Sequence, residues 1–543
     1  MTAEIFGTAT VHAPIGMVVT ADHLASSAGI AVLRVGGSAA DAAVAAGAVL
    51  AVTNQDQCGM GGDLFALVHR PGETPAAVCA AGRAGSGADP VQLRAEGHER
   101  MPSPGDIRSV TVPGCVDGWI ELHRRFGQLP LAQLLEPAIT YAATGFPVSP
   151  LLAQSASDVL HLPGAEDYRD PAMAAGGRLP GGSLIRRPGV ATALDAVRSE
   201  GRAGFYQGAF GEALIALGDG LFTRADLARP QAEWVEPLRV RAWGHDIWTA
   251  PPPSQGYLTL GGAWVASELD LPVSPAEPAW AHLLSEAARH VGADRAEVLH
   301  EAADGDELID DVRLAERWAA IDPGRRAGLA PLAAPGGTTV CCAVDRQRMG
   351  VTLIQSNASA WGAAVAEPDS GIFLHDRGTG FSLVPGNPAE YGPGRRPPHT
   401  LAPAVVTRPD GSLRTVLGTM GGDAQPQILV QLLARLLHHG QPPGDAIDAG
   451  RWVLAAGRSF GSVGSRGSIG SVGGGAGPGS IAVEAHASPD WDEGLRARGH
   501  TVDRRPGAVD HAFGQAQIIE VDDDGVLNAA TDPRALVGAA TGY

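Results

Sequence analysis

A β-branched and apolar run, Thr338-Thr339-Val340-Cys341-Cys342-Ala343-Val344, follows directly on Pro335-Gly336-Gly337 and constrains the whole C-terminal part of the chain. Such a run reads as a strand. Asp345-Arg346-Gln347-Arg348 reads as a turn and Val351 to Gln355 as the returning strand, so a hairpin is expected here. Glycine tolerates backbone conformations that other residues resist, which is compatible with a strained peptide bond before Thr338. Taken alone, Gly-Gly-Thr-Thr is also an ordinary turn into a hairpin. Chemistry offers a second reading. A cut between Gly337 and Thr338 would give Thr338 a free α-amine beside its hydroxyl. That amine has a pKa of about 7.7–8.0, close to what a general base needs near neutral pH. One residue then supplies nucleophile and base.

Composition narrows the alternatives. The 543 residues suffice for two or more domains or one large α/β body. A formal charge of −19 argues against nucleic acid or an acidic membrane as partner. All 40 basic residues are Arg, which excludes Schiff-base Lys chemistry, Ser-Lys dyads and Lys-dependent phosphate loops. The five cysteines, Cys58, Cys79, Cys115, Cys341 and Cys342, form no C-x-x-C, and no metal-ligand spacing or H-E-x-x-H is present. No metal or cofactor is expected. With no basic n-region and apolar core at the start, and no apolar stretch near the ~20 residues of a membrane span, the expected location is the cytoplasm.

Along the chain, Met17 to Val19 reads as a strand, and Asp22 caps a helix that Gly36-Gly37 ends. Ser38 starts the Ala-rich helix Ala39 to Val52, and Gln57 to Asp63 is a Gly-rich, close-packed turn. Leu64 to Val68 and Ala76 to Ala80 form a hairpin, followed by helices at Val116 to Phe126 and Leu131 to Ala143. A mixed helical region runs to about residue 230, Ala250 to Gly256 is a rigid connector, and Trp280 to His300 is helical. Ala303 to Gly337 reads as an exposed linker ending at the cut. Beyond Thr338, strands at Ile372 to Leu374, Ala404 to Thr407, Thr415 to Leu417, Ile481 to Ala485 and Gln517 to Val521 accompany a helix from Pro426 to His438. Gly457 to Gly479 is a Gly/Ser insert whose G-x-S-x-G lacks the helix that a nucleophile elbow needs. Gly418 to Asp423 joins a strand to a helix start, where backbone N–H groups either hold an oxyanion or simply turn the chain.

Several segments in order resemble the γ-glutamyltranspeptidase family of N-terminal-nucleophile hydrolases. They are Leu33 to Val44, Val112-Pro113-Gly114, Phe205 to Gly208, Pro251 to Ser254, Ala293-Asp294-Arg295, and the end from Asp532-Pro533-Arg534 to Gly542-Tyr543. The resemblance implies an α+β fold, the four-layer αββα sandwich, and a proenzyme cut into a large chain 1–337 and a small chain 338–543. Thr338 would be nucleophile and base, Gly337-Thr338 the cleavage site, and Gly421 and Gly422 the oxyanion side. A small-molecule amide would donate a γ-glutamyl or similar acyl group, and water or an amine would accept it.

Departures fall where substrate is read. The family's T-x-N appears as Gln355-Ser356-Asn357, the acidic residue expected for an α-ammonium falls at Gly380, and the Ser-Ser pair falls at His399-Thr400. The family's carboxylate-binding Arg has Arg83 as its nearest candidate. Gln355, Asn357, Arg377, His399, Thr400 and Asp423 complete the expected substrate-binding set. A buried ammonium without counter-charge costs several kcal/mol, so either Asp376 or Asp423 replaces the lost acid or the donor has no α-ammonium. The second option resembles the branch of glutaryl-type cephalosporin acylases and oxamate amidohydrolase. A reading of another class is an uncleaved binding or scaffold protein. Intact-mass analysis of the purified protein separates them: two fragments meeting at Gly337/Thr338 are expected, against one chain in Thr338→Ala. A single wild-type chain would favour the scaffold.

Overall fold

The computed structural model describes residues 7–169, 179–329, 336–454, 480–505 and 511–543. The hairpin at Thr338 lies at the centre of a seven-stranded sheet. In spatial order its strands are Ala539–Gly542, Met17–Thr20, Gly337–Val344, Gly350–Ala358, Asp63–His69, Ala76–Ala80 and Glu233–Val235, every neighbouring pair antiparallel. A second seven-stranded antiparallel sheet runs Val11–Ala13, Leu527–Thr531, Ala516–Val521, Leu413–Thr419, Ala404–Thr407, His245–Thr249 and Leu238–Ala242. Residues 1–337 and 338–543 both contribute strands to both sheets.

Side chains alternate between the faces of a strand, and both sheets are buried on both faces. Val340, Cys342 and Ile354 of the first sheet share one apolar cluster with Val405, Val416 and Ile519 of the second, so the sheets pack face to face. The intervening residues Cys341, Ala343 and Leu353 join the outer helical layer instead. On the second sheet, Val406, Leu417 and Ile518 face helices Tyr257–Ser267 and Gln425–Leu433. The result is helix, sheet, sheet, helix. The sheets approach closely at Gly418, where a Cβ would lie 2.8 Å from Val340 Cγ1.

The first outer layer is built on Ala39–Thr53, in which every residue is buried. Ser38 and Asp41 form a capping box that satisfies two orphan N–H groups at its start. Asp22 likewise caps His23–Arg34 by accepting from Leu24 N at 2.8 Å. The Gly-rich turn at 57–63 is close-packed: a Cβ on Gly61 would lie 2.2 Å from the Phe373 carbonyl oxygen. Among the described residues no helix is long and apolar enough to cross a membrane.

Three expectations are corrected. Residues 303–329 are not a free linker. They hold helices Gly305–Leu308 and Asp311–Ala319, the latter burying only Leu314 against its neighbours. Glu286 Oε2 accepts from Ala327 N at 2.7 Å, which ties the following stretch down. One-sided burial leaves a helix polar enough to read as a linker. The helix expected to reach His300 breaks after Pro278–Gly292 and resumes only as the short helix Arg295–Val298. Strands Glu233–Val235, Leu238–Ala242 and His245–Thr249 occupy a stretch that carried no assigned element. The Gly/Ser insert at 457–479 lies outside the described residues.

Because Ile354 is fully buried between the two sheets, Ile354→Ala is expected to cost roughly 2–5 kcal/mol. Denaturant unfolding checks this, with an unchanged slope and a lower midpoint.

Candidate active site

The hairpin ladder decides what faces Thr338. Its register pairs Val344 with Gly350 and Thr339 with Gln355, then slips by a bulge so that Gly337 pairs with Ala358. Thr338 therefore shares the inter-sheet face with Val340, and Ser356 shares it with Ile354. Thr338 Oγ1 donates to Ser356 Oγ at 3.1 Å. Ser356 Oγ in turn donates to the carbonyl oxygen of Gly337, in the peptide bond that a cut would break. Thr338 and Ser356 are both buried.

Arg377 lies over this pair. Its Nη2 donates to Ser356 Oγ at 3.1 Å and its Nη1 to Thr400 Oγ1 at 2.9 Å. Ala358 N also donates to Ser356 Oγ, at 2.8 Å. Three donors thus converge on a hydroxyl oxygen that has two lone pairs. Arg377 is 5 % exposed, its Nε has no partner, and among the described residues no carboxylate forms an ion pair with it. Burial pushes its pKa down, partly offset by the fields of Asp63, Asp376 and Asp423. Those carboxylates are engaged elsewhere. Asp376 accepts from Ser359 N and Oγ and from Ser103 Oγ. Asp423 pairs with Arg295 Nη2 at 2.9 Å.

The Gly421-Gly422 turn approaches from the second sheet. Gly421 has φ +136° and Gly422 φ +56°, left-handed values that favour glycine. A Cβ on Gly336 would lie 3.1 Å from Gly422 Cα and 3.5 Å from Gly422 N, so the turn abuts the segment entering Thr338. Gln255 links the two sides, its Nε2 donating at 2.9 Å to the carbonyl oxygens of both Thr400 and Gly422.

The remaining expected residues lie apart from this cluster. Gln355 has the opposite parity and points into the outer helical layer. Its Nε2 donates to Gly47 O at 2.8 Å, and its Oε1 accepts from Trp119 Nε1 at 3.1 Å. Asn357 donates from Nδ2 to Gln55 O at 3.0 Å and pins the Gly-rich turn. Arg83 bonds to Gly394 O at 3.2 Å and lies 3.5 Å from Glu301, so its charge is already answered. His399 turns Nε2 to Asp63 Oδ2 at 3.1 Å and takes no part in the hydroxyl cluster.

Ser356 was the residue missed, although its signal was present: it shares parity with Ile354, and Ile354 with Val340 across the hairpin. Elsewhere, in the outer helical region, His282, Glu286 and His500 bring ligating atoms within 4.8 Å of one another, but Arg289 already pairs with Glu286 at 3.2 Å. The five thiols are buried and unpaired, and burial pushes those of Cys58 and Cys341 up to about 12.

The sequence model of the Gamma-glutamyltranspeptidase family matches residues 25–542. The chain belongs to that family. It is 33% identical over 545 residues to the oxamate amidohydrolase proenzyme of Klebsiella pneumoniae, covering 97% of this chain and 98% of that one. Identity to a glutathione hydrolase-like proenzyme of Bacillus subtilis is 33% over 536 residues, with the same coverage. Among solved structures, cephalosporin acylase from Bacillus halodurans superposes with a TM-score of 0.86 at 29% identity, covering 100% of this chain and 99% of the other. As a member of this family the chain is a self-processing amidohydrolase or acyltransferase of the N-terminal-nucleophile type.

The site's electrostatics predict acid sensitivity. Burial, with Arg377 nearby, pushes the His399 pKa down. A histidine depressed below its ordinary value of about 6.5 binds fewer protons folded than unfolded, so its stability contribution is complete above that pH and is lost as pH falls. The unfolding free energy should therefore drop between pH 7 and pH 5, by up to about 1.4 kcal/mol per pH unit for this residue. The drop should be shallower in His399→Gln.

Proposed function

We propose that Thr338 cuts the chain at Gly337 and then, as a new N-terminal residue, hydrolyses a small acyl amide that carries a carboxylate and no α-ammonium. The observation that carries this reading is Arg377: a buried guanidinium that, among the described residues, is bound only to hydroxyls, beside the candidate nucleophile. A buried charge without a partner is costly, and a substrate carboxylate would remove that cost. Because the Ser356 oxygen is oversubscribed, Arg377 can exchange its bond there for a carboxylate oxygen. Neither Asp376 nor Asp423 offers an unengaged acid for an ammonium.

In the cut, Thr338 Oγ bonds to the Gly337 carbonyl carbon and that carbon's bond to the Thr338 nitrogen breaks. The hydroxyl proton passes to the nitrogen, giving an ester. Ser356 polarises the carbonyl from the start by donating to its oxygen. Water then hydrolyses the ester and leaves Thr338 with a free amine. In turnover that amine takes the Oγ proton during attack on the donor amide and returns it to the departing ammonia or amine. The Gly422 N–H would hold the oxyanion. Water, or a competing amine, releases the acyl group. The five buried, unpaired thiols support a reducing, cytoplasmic setting.

The spacing favours a short donor. Thr338 Oγ1 and Arg377 Nη2 are joined through Ser356 Oγ by two bonds of 3.1 Å, so they lie at most about 6 Å apart. An acyl group with its carboxylate one or two bonds from the reacting carbonyl spans that gap extended, while a glutaryl chain must fold back. The relative named oxamate amidohydrolase agrees with this, and the glutathione hydrolase-like relative favours a γ-glutamyl donor instead.

A series from oxamate through malonamate and succinamate to glutaramate, with glutamine as the amine-bearing counterpart, decides. We expect kcat/KM to fall with acyl length and Arg377→Gln to lose roughly 2–5 kcal/mol of it on the preferred donor. A glutaramate much poorer than glutamine would put the γ-glutamyl reading first.

A further inference from the structure

Thr338 and Ser356 are held by main-chain ladders of a central sheet. Arg377 and Thr400 are not: Arg377 opens a short 3-10 turn, Arg377–Gly380, and Thr400 lies in an irregular stretch before strand Ala404–Thr407. Something must hold these two loops against the hydroxyl pair. Each is preceded by a buried histidine, His375 two residues before Arg377 and His399 one residue before Thr400. Both rings turn to one carboxylate oxygen, Asp63 Oδ2, at 3.3 Å and 3.1 Å.

Asp63 is well placed to take that load. It is fully buried and is the ladder partner of Ser356, so it lies on the adjacent strand with its side chain on the same face. Its other oxygen, Oδ1, accepts from Gly82 N at 3.0 Å and Gly114 N at 3.1 Å, which fixes the carboxylate from behind. Both glycines are packed so closely that a Cβ would clash, 1.7 Å from Val112 O and 2.0 Å from Ala80 O respectively. The rings are braced on their far sides: His375 Nε2 is 3.0 Å from Thr111 O, and His399 Nδ1 accepts from Leu401 N at 3.3 Å. Asp63 also contributes the largest opposing field at Arg377. Despite desolvation, the neighbouring His375 ring and then the hydrogen bond from His399 hold its carboxyl well below the usual carboxylate range.

We propose that Asp63 is the positioning residue of the carboxylate subsite, cross-linking the two loops that carry Arg377 and Thr400 through His375 and His399. This rests on Arg377 reading the donor's carboxylate. The consequence is selective. Loosening Asp63 moves Arg377 and Thr400, while Thr338 and Ser356 stay on their strands.

The test measures kcat/KM for a carboxylate donor, oxamate or malonamate, and for a neutral amide of matching size, in mature enzyme. The readout is the ratio between the two donors. In Asp63→Asn, where Oδ1 can still accept from the two glycines, the ratio should fall at least tenfold, chiefly through KM of the carboxylate donor. His375→Gln and His399→Gln each remove one link and should give smaller falls. They carry the same test if the Asp63 variant does not fold or mature. An equal loss on both donors would mark a general structural role and overturn the proposal, as would no loss at all. Arg377→Gln separates the two levels. If it leaves the ratio unchanged, the carboxylate reading itself fails. If it collapses the ratio while the Asp63, His375 and His399 variants do not, only the positioning role fails.

Discussion

The antiparallel ladder between Gly337–Val344 and Gly350–Ala358 is the constraint on which the site depends. Its two-residue period assigns every side chain of the hairpin to the sheet interface or to the outer helices. The bulge beside Gly337 then brings Thr338, Ser356 and the Gly337 carbonyl oxygen together on the inner face. A slip of one residue would send Thr338 among the helices and bring Thr339 inward. Burial on both faces, by Val340 and Ile354 within and Cys341 and Leu353 without, makes such a slip costly.

Much of this was legible in the amino-acid order. The β-branched run after Gly337, the turn at Asp345 and the caps at Asp22 and Ser38 are local signals, and local physics honours them. What failed was non-local. Gln355 fills a motif position that points to substrate binding, whereas parity turns it to Gly47 and Trp119. Arg83 follows a strand as a carboxylate clamp might, but Glu301 and Glu233 reach it from distant parts of the chain. Asp63 closed a Gly-rich turn and showed no chemical signature by itself. Its two histidine partners are separated from it by more than three hundred residues.

The electrostatic arrangement is unusual in its economy of charge. Around the hydroxyl pair the carboxylates are each committed, to histidines, serines or Arg295, and one guanidinium is left among hydroxyls. Hydroxyl partners at two of its nitrogens bind it without neutralising it. In a low-dielectric surrounding such a charge acts strongly on whatever anion enters. Placing the imbalance on loops, and the nucleophile on a strand, separates recognition from bond-making.

The strand order has a mechanical consequence. A chain beginning at Thr338 would start inside the central sheet, between Met17–Thr20 of the preceding segment and its own hairpin partner, which in turn pairs with Asp63–His69. The C-terminal strand Ala539–Gly542 closes over Met17–Thr20 from the other side. The two polypeptides would be interleaved like the fingers of clasped hands, and neither could leave without tearing both sheets. A single peptide cleavage would thus convert a chain that can fold by itself into a pair whose union is a memory of how it was made. Once unfolded, the halves would face an assembly problem that the uncut precursor never meets.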